Sequence, residues 1–387
     1  MENHIELILN PTENIYPFLP ETHKLKGLYI PQTLRDVSAR VIFAGRDKYT
    51  EQINNIYKRW SDKLNAGSIN ISLLSGLHAS IILFMSVGKM NNKVMILPVE
   101  AGGHFATRGI LQRLGYKIYE FPIDYHKCNI SVESAIEYAN EIRPDFIFIA
   151  RSNCMQYDNF EWLNKIECNP IKIYDASQYL TGILVDKYKS PFTMGFDIII
   201  ASLHKDFPGT QQALCAFSKR ATERNFDKLI YNEFSKYISN IHPMEIFNSS
   251  YYIENFAKLL VYEEHKIMNA KAIYDALQKL HVSLQKKIFD DTVTQQLWLK
   301  CDSRESAYLA FKQLEHIGIL TNYMALPYNL GYGLRIGTGA ATIQGLRPCH
   351  CFELASLIAT CLYKMDTEHL KEIRENTQHF LRQIIKE

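Results

Sequence analysis

The central part of the chain alternates short apolar runs with helical patterns of polar and apolar residues. The apolar runs predict strands at 93–99, 117–123, 145–150, 171–177, 196–202 and 212–217. The helical patterns predict helices at 78–88, 104–115, 132–143 and 160–167. Short β-rich runs separated by amphipathic helices are typical of βαβ units, whose strands form a mostly parallel sheet. The expected fold class is therefore α/β.

The two flanks of this region have different patterns. An amphipathic helix is predicted at 47–64, inside an otherwise polar N-terminal segment. Beyond residue 240 the pattern predicts a smaller mixed region: a long helix at 251–280, strands at 294–301 and 334–338, a helix at 306–318, and two C-terminal helices. We therefore predict an N-terminal arm (1–65), a large α/β domain (66–240) and a small α+β domain (241–387).

Composition and charge remove several classes of function. The 387 residues are 47% hydrophobic and 22% charged, and the net charge of +2 comes from interspersed acids and bases, so neither a nucleic acid nor a membrane is expected as a partner. No secretory signal is visible, and no apolar stretch approaches the roughly 20 residues of a membrane span. Eight irregularly spaced cysteines favour free thiols in the cytoplasm. Cys349 and Cys351 have no second ligand pair nearby, so no metal site is predicted.

Polar side chains follow several predicted strands at the point where each strand ends. In an open α/β sheet, ligands bind beyond the carboxyl ends of the strands. The loops at those ends contain Ser152, Asp175, Ser202, His204 and Lys205. Two further segments belong with them: Ser75-Gly76 at a predicted helix start, and Gly102-Gly103-His104 after a predicted strand.

These residue types together suit one cofactor. Burial disfavours a lysine ammonium, and a neutral amine can form a Schiff base with an aldehyde. An aspartate that faces a pyridine nitrogen keeps that nitrogen protonated and makes the ring a better electron sink. The N–H groups of a helix start suit a phosphate, and a histidine after two glycines can lie over an aromatic ring. The sequence therefore predicts a pyridoxal-phosphate site that contains Lys205, Asp175, His104 and Ser75.

Four segments in this order resemble fold-type I pyridoxal-phosphate enzymes, and among them the serine hydroxymethyltransferase superfamily. The segments are GGHFATRG, YDASQYLTG, SLHKDFPG and LRIGTGAATIQGL. The resemblance implies an aspartate-aminotransferase-like fold in which Lys205 forms the Schiff base, Asp175 faces the pyridinium nitrogen and His104 stacks on the ring. It also implies that Arg335 binds the substrate carboxylate. The other cofactor-binding residues expected are Ser75, Gly76, Leu77, Ser152 (also a candidate catalytic residue), Gln178, Ser202 and His204.

The chain departs from this family in three places. Gln178 stands where the family has a histidine near the cofactor. The tyrosine-rich N-terminal segment is replaced by LRDVSARVIFAG, so the family's proton-transfer glutamate has no clear counterpart; Arg35 or Asp36 falls nearby, and Phe43 replaces a tyrosine. Glu13 and Asp36 are the candidate general bases. The folate segment reads TNYMALP, which, with LNPTENIYP and HKDFPGTQQ, resembles the threonine transaldolase branch.

The resemblance implies a homodimeric enzyme that breaks or forms the Cα–Cβ bond of a β-hydroxy amino acid or glycine, with an aldehyde as second substrate and without folate. Decarboxylation, racemisation or transamination on the same scaffold stays open, as does a protein that keeps the fold without turnover. At single residues, structural roles also stay open: a helix cap for Asp175 or Ser75, a packed histidine for His104 and an ion pair for Arg335.

Overall fold

The computed structural model describes residues 5–17, 19–25, 46–238, 240–363 and 367–385. The strands are β1 Leu7–Ile8, β2 Ser68–Leu73, β3 Lys93–Ile96, β4 Lys117–Glu120, β5 Ile123–Asp124, β6 Asn129–Ile130, β7 Phe146–Ala150, β8 Ile171–Asp175, β9 Ile198–Ser202, β10 Ala213–Phe217, β11 Gln296–Cys301, β12 Ile319–Leu320, β13 Asn322–Ala325 and β14 Tyr332–Gly337. The helices are α1 Arg46–Leu64, α2 Gly76–Val87, α3 Thr107–Arg113, α4 Val132–Ile142, α5 Leu180–Leu184, α6 Lys219–Glu223, α7 Phe226–Tyr237, α8 Pro243–Glu254, α9 Phe256–Lys279, α10 Arg304–Ile317, α11 Gly339–Ile343, α12 Cys351–Tyr363 and α13 Thr367–Ile384.

The chain divides into two compact units. The large unit contains 16–152 and 159–256, and the C-terminal unit contains 1–15, 153–158 and 257–387. This division differs from the boundaries expected at 65 and 240. One reason is that β1 pairs in parallel with β12, which attaches the N-terminal residues to the C-terminal unit.

A seven-stranded sheet forms the centre of the large unit, in the order β2-β10-β9-β8-β7-β3-β4. The pairs from β9 through β4 are parallel, and β10 is antiparallel to both β9 and β2. Every residue of β7, β9 and β10 is buried, as expected for strands covered on both faces. The α/β fold class with a mostly parallel sheet is confirmed.

Pairing within this sheet brings several strand ends to one edge. Asp175 at the end of β8 pairs with Ala150 on β7 and with Ile200 on β9. Ala213 on β10 pairs with both Leu73 and Ser202, so β2 and β9, which flank β10, run in the same direction and end at the same edge. The loops after β2, β7, β8 and β9 therefore leave the sheet at the same edge.

The C-terminal unit is built on a three-stranded antiparallel sheet in the order β11-β14-β13. One face of this sheet contributes Leu297, Leu299, Leu334 and Ile336 to a buried core shared with α10, α12 and α13. The N-terminal segment runs beside β14, where the Gly337 N–H donates to the Leu9 carbonyl at 2.8 Å. None of the described helices is long and apolar enough to span a bilayer.

Two predicted helices differ from those observed. The segment predicted at 160–167 is a short 3-10 helix, Glu161–Lys165, after which the backbone becomes extended at Ile166. The long helix predicted at 251–280 is two helices, α8 and α9, separated at Asn255. Asn255 is the C-cap of α8, where the backbone leaves the helical conformation (φ −105°, ψ 54°), and its side chain donates to the Tyr251 carbonyl at 2.9 Å.

Candidate active site

The ends of β8 and β9 are tied together by two serines. Ser177 donates its backbone N–H to Asp175 Oδ1 at 2.9 Å, which fixes the orientation of the carboxylate. The Ser177 hydroxyl accepts the Ser202 backbone N–H at 2.8 Å and lies 3.2 Å from the Ser202 hydroxyl. Asp175 therefore projects from a strand end whose neighbouring loop is held in place by buried hydrogen bonds.

The N-terminus of α2 lies against this pair of serines. Ser75 is the N-cap, and its hydroxyl accepts the His78 backbone N–H at 3.2 Å. A Cβ atom on Gly76 would lie 2.5 Å from the Ser202 hydroxyl, so a larger residue would displace that hydroxyl from its place against the helix end. The first amides of a helix, here those of Gly76 and Leu77, have no intrahelical acceptor, and the helix dipole favours an anion there. The cap role left open for Ser75 is observed, and it uses the same helix end that suits a phosphate.

The loop that carries His104 pairs with the end of β7. Gly102 has φ 85°, a left-handed conformation that favours glycine, and it accepts the Ser152 backbone N–H at 2.9 Å. A Cβ on Gly103 would lie 2.4 Å from the Leu97 carbonyl oxygen, so this position also requires glycine. The His104 N–H then donates to the Ala150 carbonyl at 3.0 Å. The two glycines thus place the histidine beside the ends of the central strands.

His104 lies within electrostatic range of both Asp175 and Lys205. Burial lowers the pKa of His104, the Asp175 carboxylate opposes that shift, and the Lys205 ammonium adds to it. The three residues predicted to contact the cofactor ring are thus grouped at one edge of the sheet.

Lys205 lies on an irregular loop between β9 and β10 that is fixed at several points. Leu203 donates its N–H to the Gln212 carbonyl at 2.8 Å, and Gly209 donates to the Leu203 carbonyl at 2.7 Å. Next to the lysine, the buried side chain of Asp206 accepts the Thr181 N–H at 2.8 Å. The Asp206 backbone carbonyl accepts the Thr181 hydroxyl at 3.0 Å. These contacts hold both sides of Lys205.

His204, the residue before this lysine, is nine-tenths buried, and its Nδ1 atom has no hydrogen-bond partner among the described residues. Burial and the Lys205 ammonium lower the pKa of His204 to about 4, although a hydrogen bond to the Gln212 backbone opposes the shift. The imidazole is therefore neutral at neutral pH. A buried polar atom without a partner is uncommon, and it marks a position where a ligand atom can complete the hydrogen bonding.

Arg335 lies in the middle of β14 in the C-terminal unit and is 7% exposed. Its Nε and Nη2 atoms donate to Asn322 Oδ1 at 3.2 and 2.8 Å, and Nη1 donates to Asn153 Oδ1 at 2.7 Å. Burial lowers the pKa of Arg335 to about 10, with the Cys154 thiol opposing the shift, so the guanidinium stays charged at neutral pH.

The remaining predicted residues are placed as follows. Gln178 is buried directly after Ser177, Leu77 exposes 40% of its surface in the first turn of α2, and Glu13 is exposed in the C-terminal unit. Arg35, Asp36 and Phe43 lie outside the described residues. Sequence reasoning missed four residues that hold the candidate groups: Ser177, Asp206, Asn153 and Asn322. Ser177, Asp206 and Asn153 each adjoin a predicted site residue, and Asn322 lies in the TNYMALP segment, but no pattern in the sequence pointed to their roles.

Comparison with known proteins tests the family resemblance that the sequence motifs indicated. The family model for serine hydroxymethyltransferase matches residues 43–358. Serine hydroxymethyltransferase of Pyrococcus furiosus is 26% identical over 350 residues, which cover 86% of this chain and 81% of that protein. The same-named protein of Saccharolobus solfataricus is 25% identical over 346 residues, 84% of this chain and 77% of that protein.

A solved structure shares the fold. The crystal structure of L-threonine transaldolase from Pseudomonas fluorescens superposes with a TM-score of 0.89, covers 99% of this chain and 88% of that chain, and is 19% identical. The resemblance noted in the sequence is confirmed, because the matched model spans most of the chain. The protein belongs to the serine hydroxymethyltransferase family.

Proposed function

We propose that the protein is a pyridoxal-phosphate enzyme that breaks or forms the Cα–Cβ bond of a β-hydroxy amino acid or glycine, with an aldehyde as second substrate and without folate. The observation that carries the proposal is the grouping of His104, Asp175 and Lys205 at one edge of the large sheet. Family membership supports the same chemistry, since the relatives that match are named serine hydroxymethyltransferase.

The residues present fit this cofactor. The α2 N-terminus, packed against the Ser202 hydroxyl through Gly76, offers N–H and O–H donors for a phosphate. Lys205 would hold the cofactor covalently through Nζ, Asp175 would supply the negative charge opposite its ring nitrogen, and His104 would lie against its ring. Pyridoxal phosphate, when bound, supplies an aldehyde for the substrate amine and a protonated ring that accepts an electron pair from Cα.

The protein's own groups then bind the substrate and hold protons. Arg335 binds the substrate carboxylate, because a charged guanidinium matches a carboxylate with two donors. His204 is neutral, and its buried Nδ1 can accept a hydrogen bond or a proton near Lys205. Ser177 keeps the Asp175 carboxylate in one orientation, so its charge is preorganised.

Independence from folate is supported by the replaced segments. The folate segment reads TNYMALP here, and the side-chain oxygen of Asn322 within it accepts two hydrogen bonds from Arg335. That oxygen is thus engaged in holding the arginine.

A homodimer and a cytoplasmic location complete the proposal. Leu74, Leu77 and Phe105 flank the α2 N-terminus and His104, and they expose 41%, 40% and 75% of their surface. Apolar side chains exposed beside functional loops are a feature of association surfaces. Sedimentation equilibrium distinguishes one chain from two. Each of the eight cysteines is a free thiol, which agrees with a reducing compartment and can be checked by fractionating cells.

The test uses the Lys205→Ala variant and the exposed Lys219→Ala as a matched control. We expect Lys205→Ala to lose the visible absorbance of bound cofactor and to lower turnover roughly a thousandfold or more, while Lys219→Ala keeps both. Wild-type protein should release aldehyde from threonine or serine equally well with and without tetrahydrofolate. A Lys205→Ala protein with unchanged absorbance contradicts the assignment of the lysine, and release of CO2 or a keto acid identifies the alternative reactions.

A further inference from the structure

The two faces of the C-terminal sheet have opposite chemistry. Residues that pair directly across antiparallel strands lie on the same face. Leu299 on β11 pairs with Leu334 on β14, and both belong to the buried core. Arg335, the next residue on β14, pairs with Trp298 on β11 and with Asn322 on β13. Asn322, Arg335 and Trp298 therefore form a row on the face opposite to the aliphatic core.

This polar row is rich in donors. Trp298 is 3% exposed, and its indole Nε1 has no hydrogen-bond partner among the described residues. An indole nitrogen can only donate, and a guanidinium also has only donors. A face that buries donors of this kind is suited to an anionic ligand, since a carboxylate is an acceptor with four lone-pair sites.

Asn153 approaches Arg335 from a segment fixed separately to the same unit. The residue after it, Cys154, donates its N–H to Gln296 Oε1 at 3.1 Å, and its carbonyl accepts the Thr294 hydroxyl at 2.7 Å. The Tyr157 N–H donates to the Thr292 carbonyl at 2.7 Å. Asn153 Oδ1 is thus presented to Arg335 Nη1 by a backbone that is anchored at Cys154 and at Tyr157.

We infer that Asn153 and Asn322 are positioning residues that orient Arg335 with neutral amide oxygens and so preserve its charge for the substrate carboxylate. The inference rests on the proposed role of Arg335. An aspartate at either position would have nearly the same shape and would still accept the hydrogen bond. It would also bring a negative charge within 3 Å or so of the guanidinium, and this charge would compete with the carboxylate of the substrate.

The experiment measures amine binding to the cofactor-loaded protein by the change in its visible absorbance. Glycine and ethanolamine are the two probes, because both have a primary amine and only glycine has a carboxylate. We expect Asn322→Asp and Asn153→Asp to weaken glycine binding roughly ten- to hundredfold and to leave ethanolamine binding within about twofold of wild type. The midpoint of thermal unfolding should stay level or rise, because each variant adds an ion pair to a buried arginine.

The control is Asn376→Asp, at an exposed position on α13, which adds the same charge away from the polar row. It should change the binding of neither glycine nor ethanolamine. If an aspartate variant that folds binds glycine as wild type does, or loses the binding of glycine and ethanolamine alike, the positioning role is wrong. Because the two variants lie on different segments, either one that folds decides the question. The Arg335→Ala variant tests the proposed role of Arg335 separately from the positioning inference. If this variant binds glycine as wild type does, Arg335 is not the carboxylate ligand. If Arg335→Ala weakens glycine alone while the aspartate variants do not, only the positioning inference is overturned.

Discussion

Lys205 and Arg335 are held in place in two different ways. Lys205 lies on an irregular loop, and that loop is fixed by side-chain and backbone hydrogen bonds from Asp206, Gly209 and Gln212. Arg335 lies within a regular strand with a neighbour on each side, so its backbone is fixed by the ladder of β11, β14 and β13. Its guanidinium is oriented afterwards by two asparagine side chains.

This difference predicts which property a substitution near each residue will change, the stability of the fold or the orientation of the side chain. A loop without a regular ladder depends on a few buried polar contacts, so losing one of them changes the position of the lysine and the stability of the fold together. In a strand, the backbone position survives the loss of a side-chain contact, so changes around Arg335 alter orientation and charge more than stability. Substitutions that separate folding from ligand binding test this contrast.

The largest expected effect comes from Asp206→Ala. The buried carboxylate accepts the Thr181 N–H at 2.8 Å, and its removal leaves that donor without this acceptor. We expect the free energy of unfolding to fall by about 3 kcal/mol, as for a buried hydrogen bond to a charged group, and cofactor affinity to fall with it. Urea unfolding and cofactor titration measure the two quantities.

Asp206→Asn is the matched control, because an amide oxygen can still accept the Thr181 N–H. It should recover most of the lost stability. If Asp206→Ala unfolds at the same urea concentration as wild type, the loop does not depend on this contact and the contrast with the strand is lost.

The sequence predicts some parts of this site and not others, for physical reasons. Strands β7 and β9 are continuous apolar runs, and β8 is apolar up to Asp175 except for Lys172. These runs show where each strand ends, and with that the positions of Asp175 and Lys205. The approach of Gly76 to Ser202 depends on β2 and β9 both pairing with β10, and no local pattern contains that information. Asn153 likewise depends on the hydrogen bond between Cys154 and Gln296, residues far apart in the chain.

Gly76→Ala should give an intermediate effect. Its Cβ would lie 2.5 Å from the Ser202 hydroxyl, which must then rotate away from Ser177 and from the α2 N-terminus. Alanine favours a helix over glycine, so stability should change little. Cofactor affinity should fall about tenfold, or 1.4 kcal/mol, if the displaced hydroxyl is a phosphate donor.

Gly109→Ala is the matched control for this change, because Gly109 lies within α3 and a Cβ there would meet no atom within 4 Å. It should keep the wild-type affinity. Equal affinities for the two alanine variants, measured by cofactor titration, would remove the α2 N-terminus from the proposed phosphate site.

The smallest effect is expected for His204→Gln, and it concerns pH. The pKa of His204 is lowered from 6.5 to about 4 in the folded protein, mainly by burial, so the unfolded chain binds a proton there that the folded protein does not. The contribution of this group to the free energy of unfolding is therefore fully present above about pH 6.5, and it is lost as the pH falls towards 4. Between about pH 7 and about pH 5.5 this one group should account for roughly 1 kcal/mol of the loss.

Glutamine keeps a neutral polar side chain and cannot take up the proton, so the His204→Gln variant should lose less stability on acidification than wild type. Urea unfolding at several pH values measures this difference, with the exposed His126→Gln as control for the loss of one histidine. If His204→Gln and wild type lose stability in parallel, the pKa of His204 is not lowered on folding, and burial does not keep the imidazole neutral on acidification.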